Sequence, residues 1–213
     1  MVPVKSLSRA KSRLAPVLTP LERAALTLAM LEDVLDATLP QPGWETWVIS
    51  PDEAVLEIAA RRGVRPVLEA KPPLRAAVRQ AEEDARAAGA SAMAVLLADA
   101  PLVTSPVLSE ALRTLGPVVV APSDAGGGTN LLVRRPPSAM PARFGPSSFS
   151  RHLETARARR LPVAVIDRPE LGFDLDTPED LARYLASPAQ GRTREICRET
   201  DVAARLVAHT AAT

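Results

Sequence analysis

The run Ala92-Met-Ala-Val-Leu-Leu-Ala98 constrains this chain more than any other stretch. It is apolar throughout and of strand length, without the alternation of a half-buried strand, so both of its faces have to be covered. A central strand of a parallel sheet, with helices on either side, meets that requirement. The flanking sequence agrees. Strand-like residues open the chain, and further strand-like runs at 46–49, 64–68, 118–121, 129–134 and 163–166 alternate with helix-spaced segments at 20–39, 53–62, 74–88, 106–115, 148–159 and 178–186. Two helix starts are spelled out. Thr19-Pro20-Leu21-Glu22 and Thr177-Pro178-Glu179-Asp180 each place a threonine at the cap, proline at the first helical position and an acid at the third.

The expectation is one α/β domain over 1–187, with a mostly parallel central sheet and helices on both faces. A polar tail, 188–213, follows and carries an added helix packed on the domain or on a second subunit. A chain of 213 residues with 46% apolar content can bury one sizeable core, built mainly from Leu, Val and Ala because aromatics are only 3%. The net charge of +1 and the scarcity of aromatic platforms give no footprint for nucleic acid or for an anionic membrane. A single cysteine, Cys197, excludes an internal disulfide and a Cys-rich zinc site. With no signal peptide and no long apolar run, the expected compartment is the cytoplasm.

Ligands of open α/β sheets bind beyond the carboxyl ends of the strands. Asp99 directly follows the 92–98 run. Asp174 and Asp176 flank Leu175, and residues two apart in an extended segment point the same way. Two or three carboxylates beside phosphate oxygens suit Mg²⁺, which takes hard oxygen ligands and keeps some water. Taken singly, Asp99 reads equally well as a turn residue before Pro101. Asp176 stands one residue outside the cap formed by Thr177. The N-terminal loop favours the metal reading. Of only three lysines in the chain, Lys5 and Lys11 lie in that loop beside Arg9 and Arg13, a mix of ammonium, guanidinium and hydroxyl groups that suits a polyphosphate.

Two more loops suit anions. Gly126–Asn130 offers an N–H nest, and Phe144-Gly-Pro-Ser-Ser-Phe149 precedes a helix that Ser147 or Ser148 would cap. The two histidines, His152 and His209, read as surface residues rather than bases. Walker, Gly-x-Gly-x-x-Gly and Gly-x-Ser-x-Gly motifs are missing from the sequence. A reaction needing neither a protein nucleophile nor a general base fits this inventory. Transfer of a nucleotidyl group to a substrate phosphate is such a reaction, since that oxygen is largely ionised near neutrality (second pKa about 6). Alignment and charge neutralisation then carry catalysis.

Pro3-Val4-Lys5, Ala10-Lys11-Ser12-Arg13-Leu14, Ala98-Asp99-Ala100-Pro101-Leu102, Gly127-Gly128-Thr129-Asn130, Phe144-Gly145-Pro146-Ser147-Ser148-Phe149 and Asp174-Leu175-Asp176-Thr177-Pro178-Glu179-Asp180 occur in that order. Together they resemble the guanylyltransferases of coenzyme F420 biosynthesis, over about 2–185. The resemblance implies the nucleotidyltransferase (Rossmann-like) fold. It also implies transfer of GMP from GTP to 2-phospho-L-lactate, phosphoenolpyruvate or a related three-carbon phospho-acid, with release of pyrophosphate. It makes Asp99, Asp174 and Asp176 the Mg²⁺ ligands and places the phospho-acid on Thr129, Gly145 and Ser148, largely through backbone N–H groups. Lys5, Lys11 and Arg13 would hold the GTP phosphates, with Lys11 and Arg13 stabilising the leaving pyrophosphate. A homodimer and a downstream transferase as handover partner stay open. So do a same-fold enzyme for molybdopterin or a sugar phosphate, and a nucleotide-binding protein without turnover. One departure bears on base selection. Where relatives usually have Gly-Leu-Asn, this chain has Pro73-Leu74-Arg75, and proline supplies neither an N–H nor positive φ.

Overall fold

In the computed structural model, which describes residues 1–70, 74–124 and 127–212, the chain alternates strand and helix as the sequence pattern requires. β1 (Val2–Pro3) runs through two tight 3-10 turns, Leu7–Arg9 and Ser12–Leu14, into α1 (Pro20–Thr38). Then come β2 (Trp47–Ser50), α2 (Glu53–Arg61), β3 (Arg65–Leu68), α3 (Leu74–Ala87), β4 (Met93–Leu96), α4 (Ser105–Arg113) and the strands β5 (Val118–Pro122) and β6 (Thr129–Arg134). The rest is α5 (Ser148–Ala158), β7 (Val163–Val165), α6 (Pro169–Gly172), α7 (Pro178–Ala186), α8 (Arg192–Glu199) and α9 (Val202–Ala212). Both expected capping boxes form, Thr19 with Glu22 and Thr177 with Asp180.

β2 lies between β1 and β3, all parallel. β6 runs antiparallel between β4 and β5, and β7 is parallel to β5. Met1 joins the two sets: its nitrogen donates to the Ala94 carbonyl at 2.9 Å and its carbonyl accepts from the Leu96 N–H at 3.1 Å. The strand order is therefore β3-β2-β1-β4-β6-β5-β7, with β6 alone antiparallel among the described strands. The expectation of a central parallel strand at 92–98 needs one correction. β4 is parallel toward β1 but antiparallel toward β6, because β5 returns as β6 through a short hairpin connection rather than a crossover.

The order also fixes the site. From β1 the sheet grows toward β2 on one side and is met by β4 on the other, so a crevice opens between their carboxyl ends. The basic loop leaves β1 there, and Asp99 leaves β4 there. Alternate strand residues sort into two cores. Leu96, Val119, Ala121, Leu131 and Val133 pack with α1, α2 and α4, while Val95, Val118, Val120 and Leu132 pack with α3 and α5. A third core gathers Leu14, Val17 and Leu18 behind the basic loop with Phe173, Leu175 and Tyr184, and with Cys197, Val202 and Leu206 of the tail. Full burial of Leu14 alone stabilises by about 2 kcal/mol, which anchors an otherwise polar loop. Helix α8 starts on Asp33 of α1, whose carboxylate accepts from the Arg192 N–H at 2.7 Å and the Thr193 N–H at 3.0 Å. Here the tail packs on α1 and α7.

Candidate active site

The loop from Lys5 to Leu14 is held from outside. Arg23 of α1 donates to the Leu18 carbonyl at 3.0 Å and the Ala10 carbonyl at 3.3 Å, and Asp52, just after β2, accepts from the Leu7 N–H at 3.2 Å. Between the two turns Lys11 takes a left-handed backbone, φ 48°. For a lysine that conformation costs about 1 kcal/mol. What it achieves is an inward side chain, only 7% exposed, with Nζ 2.7 Å from Asp176 Oδ1 and 3.1 Å from Asp99 Oδ2. Burial would lower the pKa of this ammonium, but the two carboxylates outweigh burial and raise it. Lys11 is a fixed cation. Lys5 and Arg13 are exposed and make no direct contact with the aspartates, yet their charges act on Asp176.

The three aspartates meet because the loops carrying them are bonded together. The Leu175 N–H donates to the Asp99 carbonyl at 3.0 Å, and Leu175 buries its side chain in the third core while its neighbours face the crevice. Their environments differ. Burial, together with Asp99, Asp176 and Asp180, raises the pKa of Asp174 despite a 2.6 Å hydrogen bond from the Ser123 hydroxyl. Burial would raise Asp176 too, but Lys11, Arg13 and Lys5 override it and hold its carboxyl below the usual range. Asp99 keeps Oδ1 buried without a hydrogen-bond partner among the described residues. As the side chains stand, with Lys11 between two of the acids, no three His, Cys, Asp or Glu among the described residues form a ready metal cage. The donor chemistry nonetheless suits a hard divalent cation: three carboxylates, one with an orphaned buried oxygen and one burdened by its neighbours' charge.

On the opposite flank, Thr129 opens β6, Gly145 sits at φ 120° and Ser148 begins α5. Thr129 and Ser148 are buried and Gly145 is exposed. The expected serine cap does not form. Ser147 occupies the cap position with a left-handed backbone, φ 51°, and its side chain makes no capping bond. The first turn of α5 is tied instead to the glycine loop, with the Phe149 N–H donating to the Gly127 carbonyl at 2.9 Å. His152 corrects a second expectation. It is not a surface residue but is buried, bonded to Thr129 Oγ1 at 3.0 Å and to the Arg143 backbone nitrogen at 2.7 Å.

Asn130 is another residue that sequence reasoning passed over. Its buried Nδ2 donates to the carbonyls of Leu171 and Gly172, each at 3.0 Å, and so fixes the approach to Asp174. Its position at the end of the Gly-Gly-Thr-Asn motif was the available signal. Pro73 and Gly126 lie outside the described residues. Arg75 is exposed on a groove of about 470 Å³ that it lines with Arg79, Glu82 and Arg143, and none of the three aspartates lines that groove.

A β3-β2-β1-β4-β6-β5-β7 sheet with acids and a basic loop at its switch point defines a nucleotidyltransferase-type α/β enzyme. The fold is shared with a putative nucleotide-diphospho-sugar transferase from Desulfovibrio desulfuricans, at a TM-score of 0.78 and 20% identity over 98% of this chain and 96% of that one. The chain belongs to the guanylyl transferase CofC-like family, which it matches over residues 1–211. It is 44% identical to a phosphoenolpyruvate guanylyltransferase of Rubrobacter xylanophilus, over 88% of this chain and 93% of the relative. It is 39% identical to a 2-phospho-L-lactate guanylyltransferase of Methanothermobacter thermautotrophicus, over 93% and 89%. Identity to a 3-phospho-D-glycerate guanylyltransferase of Phenylobacterium zucineum is 38%, over 88% and 89%.

Proposed function

We propose that the protein transfers GMP from GTP to a three-carbon phospho-acid and releases pyrophosphate, as a step of coenzyme F420 biosynthesis. Phosphoenolpyruvate is the leading acceptor, because the 44% identical relative is named for it. An ionised phosphate oxygen of the acceptor attacks the α-phosphorus of GTP. The bond from that phosphorus to the bridging oxygen breaks, and the pyrophosphate carries away the electron pair. No proton has to be removed from the nucleophile, since its second pKa is about 6. This explains a crevice without a histidine or cysteine at its centre.

The observation that carries the reading is the Lys11 ammonium, buried between Asp99 and Asp176 where β1 and β4 end. It has three donors and spends two on the carboxylates, which leaves one for a phosphate oxygen. Arg13 and Lys5 extend the positive side toward solvent and would meet the outer phosphates. Asp99, Asp174 and Asp176 are the residues that would hold Mg²⁺, which when bound supplies charge neutralisation between nucleotide and acceptor. Thr129, Gly145 and Ser148 would hold the phospho-acid. A cytoplasmic location belongs to the same proposal, and none of the described helices is long and apolar enough to cross a membrane. The test is mass spectrometry of products from GTP, Mg²⁺ and a panel of phosphoenolpyruvate, 2-phospho-L-lactate and 3-phospho-D-glycerate, with pyrophosphate release measured in parallel. A GMP adduct of one of these acids is expected. Pyrophosphate release only with a sugar phosphate or a pterin phosphate, or GTP binding without release, would overturn the reading.

A further inference from the structure

His152 is a buried polar residue that the transfer chemistry leaves unused. Its ring is held at both nitrogens, with Phe144 edge-on at 5.2 Å between centroids. The backbone N–H of Arg143, 2.7 Å from Nε2, can only donate, so Nε2 must be the bare nitrogen. A neutral ring then carries its proton on Nδ1, and that proton goes to Thr129 Oγ1 at 3.0 Å. A doubly protonated ring would set a hydrogen against the Arg143 N–H. Burial, followed by the charges of Arg134, Arg151 and Arg143, disfavours it further and brings the pKa down to about 4. Thr129 is thus the acceptor in this pair, and its own hydroxyl hydrogen has no acceptor among the described residues although the residue is only 2% exposed.

We infer that His152 is a positioning residue that turns the Thr129 hydroxyl into a fixed donor for an anionic oxygen of the acceptor, and couples it through the Arg143 N–H to the Gly145–Ser148 loop. The inference rests on the phospho-acid site proposed above. It adds a chain of three hydrogen bonds, from the Arg143 amide through His152 and Thr129 to the substrate, in which each donor is fixed by the one before it. A free threonine hydroxyl would rotate among acceptors, whereas one already accepting from Nδ1–H has its own hydrogen confined.

Two measurements test this. Long-range ¹H–¹⁵N spectra of the full chain, with His209→Gln used to assign the only other imidazole, should show His152 protonated at Nδ1 and bare at Nε2 at neutral pH. The opposite tautomer, or a titration near the ordinary histidine range, would overturn the inference whatever the acceptor is. In kinetics, His152→Ala and Thr129→Val should each raise the acceptor KM about tenfold or more, with the GTP KM unchanged. The double variant should be no worse than either single one. His152→Asn, whose amide can occupy the Nδ1 position, should restore most of the acceptor KM. A lower melting temperature with an unchanged acceptor KM, or equal rises in both KM values, would leave His152 a packing residue while guanylyl transfer stands. If none of the phospho-acids is turned over by the unmodified enzyme, the proposed acceptor has failed, and the spectra still decide the tautomer.

Discussion

Asp174 and Asp176 are two residues apart and face the same crevice, yet neutralising them should have opposite effects on stability. Asp174 is partly buried among Asp99, Asp176 and Asp180 with one neutral donor, Ser123, and burial raises its pKa above the ordinary carboxylate value. A carboxylate whose folded pKa is raised destabilises the fold once ionised, in full above that folded pKa, and the penalty fades as pH falls to the unfolded value. Asparagine can still accept from Ser123, so Asp174→Asn removes the charge and keeps the hydrogen bond. The expected gain is about 1 kcal/mol, or roughly 2–4 °C in melting temperature for a chain of this size. Asp176 has a lowered pKa because Lys11 overrides its burial. Its stabilisation is complete above the unfolded pKa and is lost as pH falls through the folded one. Asp176→Asn strips Lys11 of its nearest carboxylate and should cost about 1–2 kcal/mol. Both variants should lose turnover. The informative assay is differential scanning fluorimetry at neutral pH with and without Mg²⁺. A cation at 100 times its Kd adds about 2.7 kcal/mol to the wild type, so the order of the wild type and Asp174→Asn should invert on adding metal. An Asp174→Asn variant that melts lower than wild type without metal would refute the charge argument. A wild type that Mg²⁺ does not shift would refute the metal assignment.

Three further outcomes follow from contacts already described. Lys11→Met leaves three carboxylates without their internal cation and should cost about 2–3 kcal/mol and about 100-fold or more in turnover. Asp176 would lose the cation that holds its pKa down, so the variant's deficit in melting temperature should shrink as pH is lowered toward the carboxylate range. Asn130→Ala leaves the Leu171 carbonyl without its side-chain donor and the Gly172 carbonyl with only the Asp124 N–H. It should cost about 2 kcal/mol and slow turnover by loosening the approach to Asp174, as read from melting curves with steady-state rates. Asp33→Ala removes both acceptors at the start of α8 and should cost about 1–2 kcal/mol. Limited proteolysis should then cut near Gly191 before the sheet unfolds.

What the sequence showed and what it hid divide along the range of the interactions. The helix caps at Thr19 and Thr177 depend on residues three apart, and both form as the spacing required. The apolar run at 92–98 announced a strand covered on both faces. It could not announce that its β6 neighbour is antiparallel, because register between β4 and β6 is a contact across about forty residues of chain. The aspartates and the basic loop were legible as separate loops at strand ends. Their junction through Lys11, which reaches 88 residues to Asp99 and 165 to Asp176, was not. His152 was misread for a related reason. On the helical pattern of α5 it stands one turn in, with no partner nearby in sequence, and only the return of β6 and the 135–147 connection past that turn buries it.

The charge balance of the crevice sharpens the part played by the basic loop. Three carboxylates, Asp99, Asp174 and Asp176, face three cations, Lys5, Lys11 and Arg13, and the two sets are coupled directly through Lys11 and at longer range through Asp176. Of the loop's cations only Lys11 is paired directly with the aspartates, while Lys5 and Arg13 stay exposed and open toward a nucleotide. A triphosphate entering such a crevice adds several negative charges to a nearly neutral site, and the exposed guanidinium of Arg13 and ammonium of Lys5 are well screened by water. On the proposed reading, further positive charge would be brought in with the nucleotide, and a divalent cation on the aspartates would suit their oxygen donors. On this account the left-handed turn at Lys11 serves the protein before substrate arrives. It keeps the carboxylates close together without a metal, at a backbone cost of about 1 kcal/mol, and the rearrangement left to the moment of binding is a shift of the Lys11 ammonium from between Asp99 and Asp176.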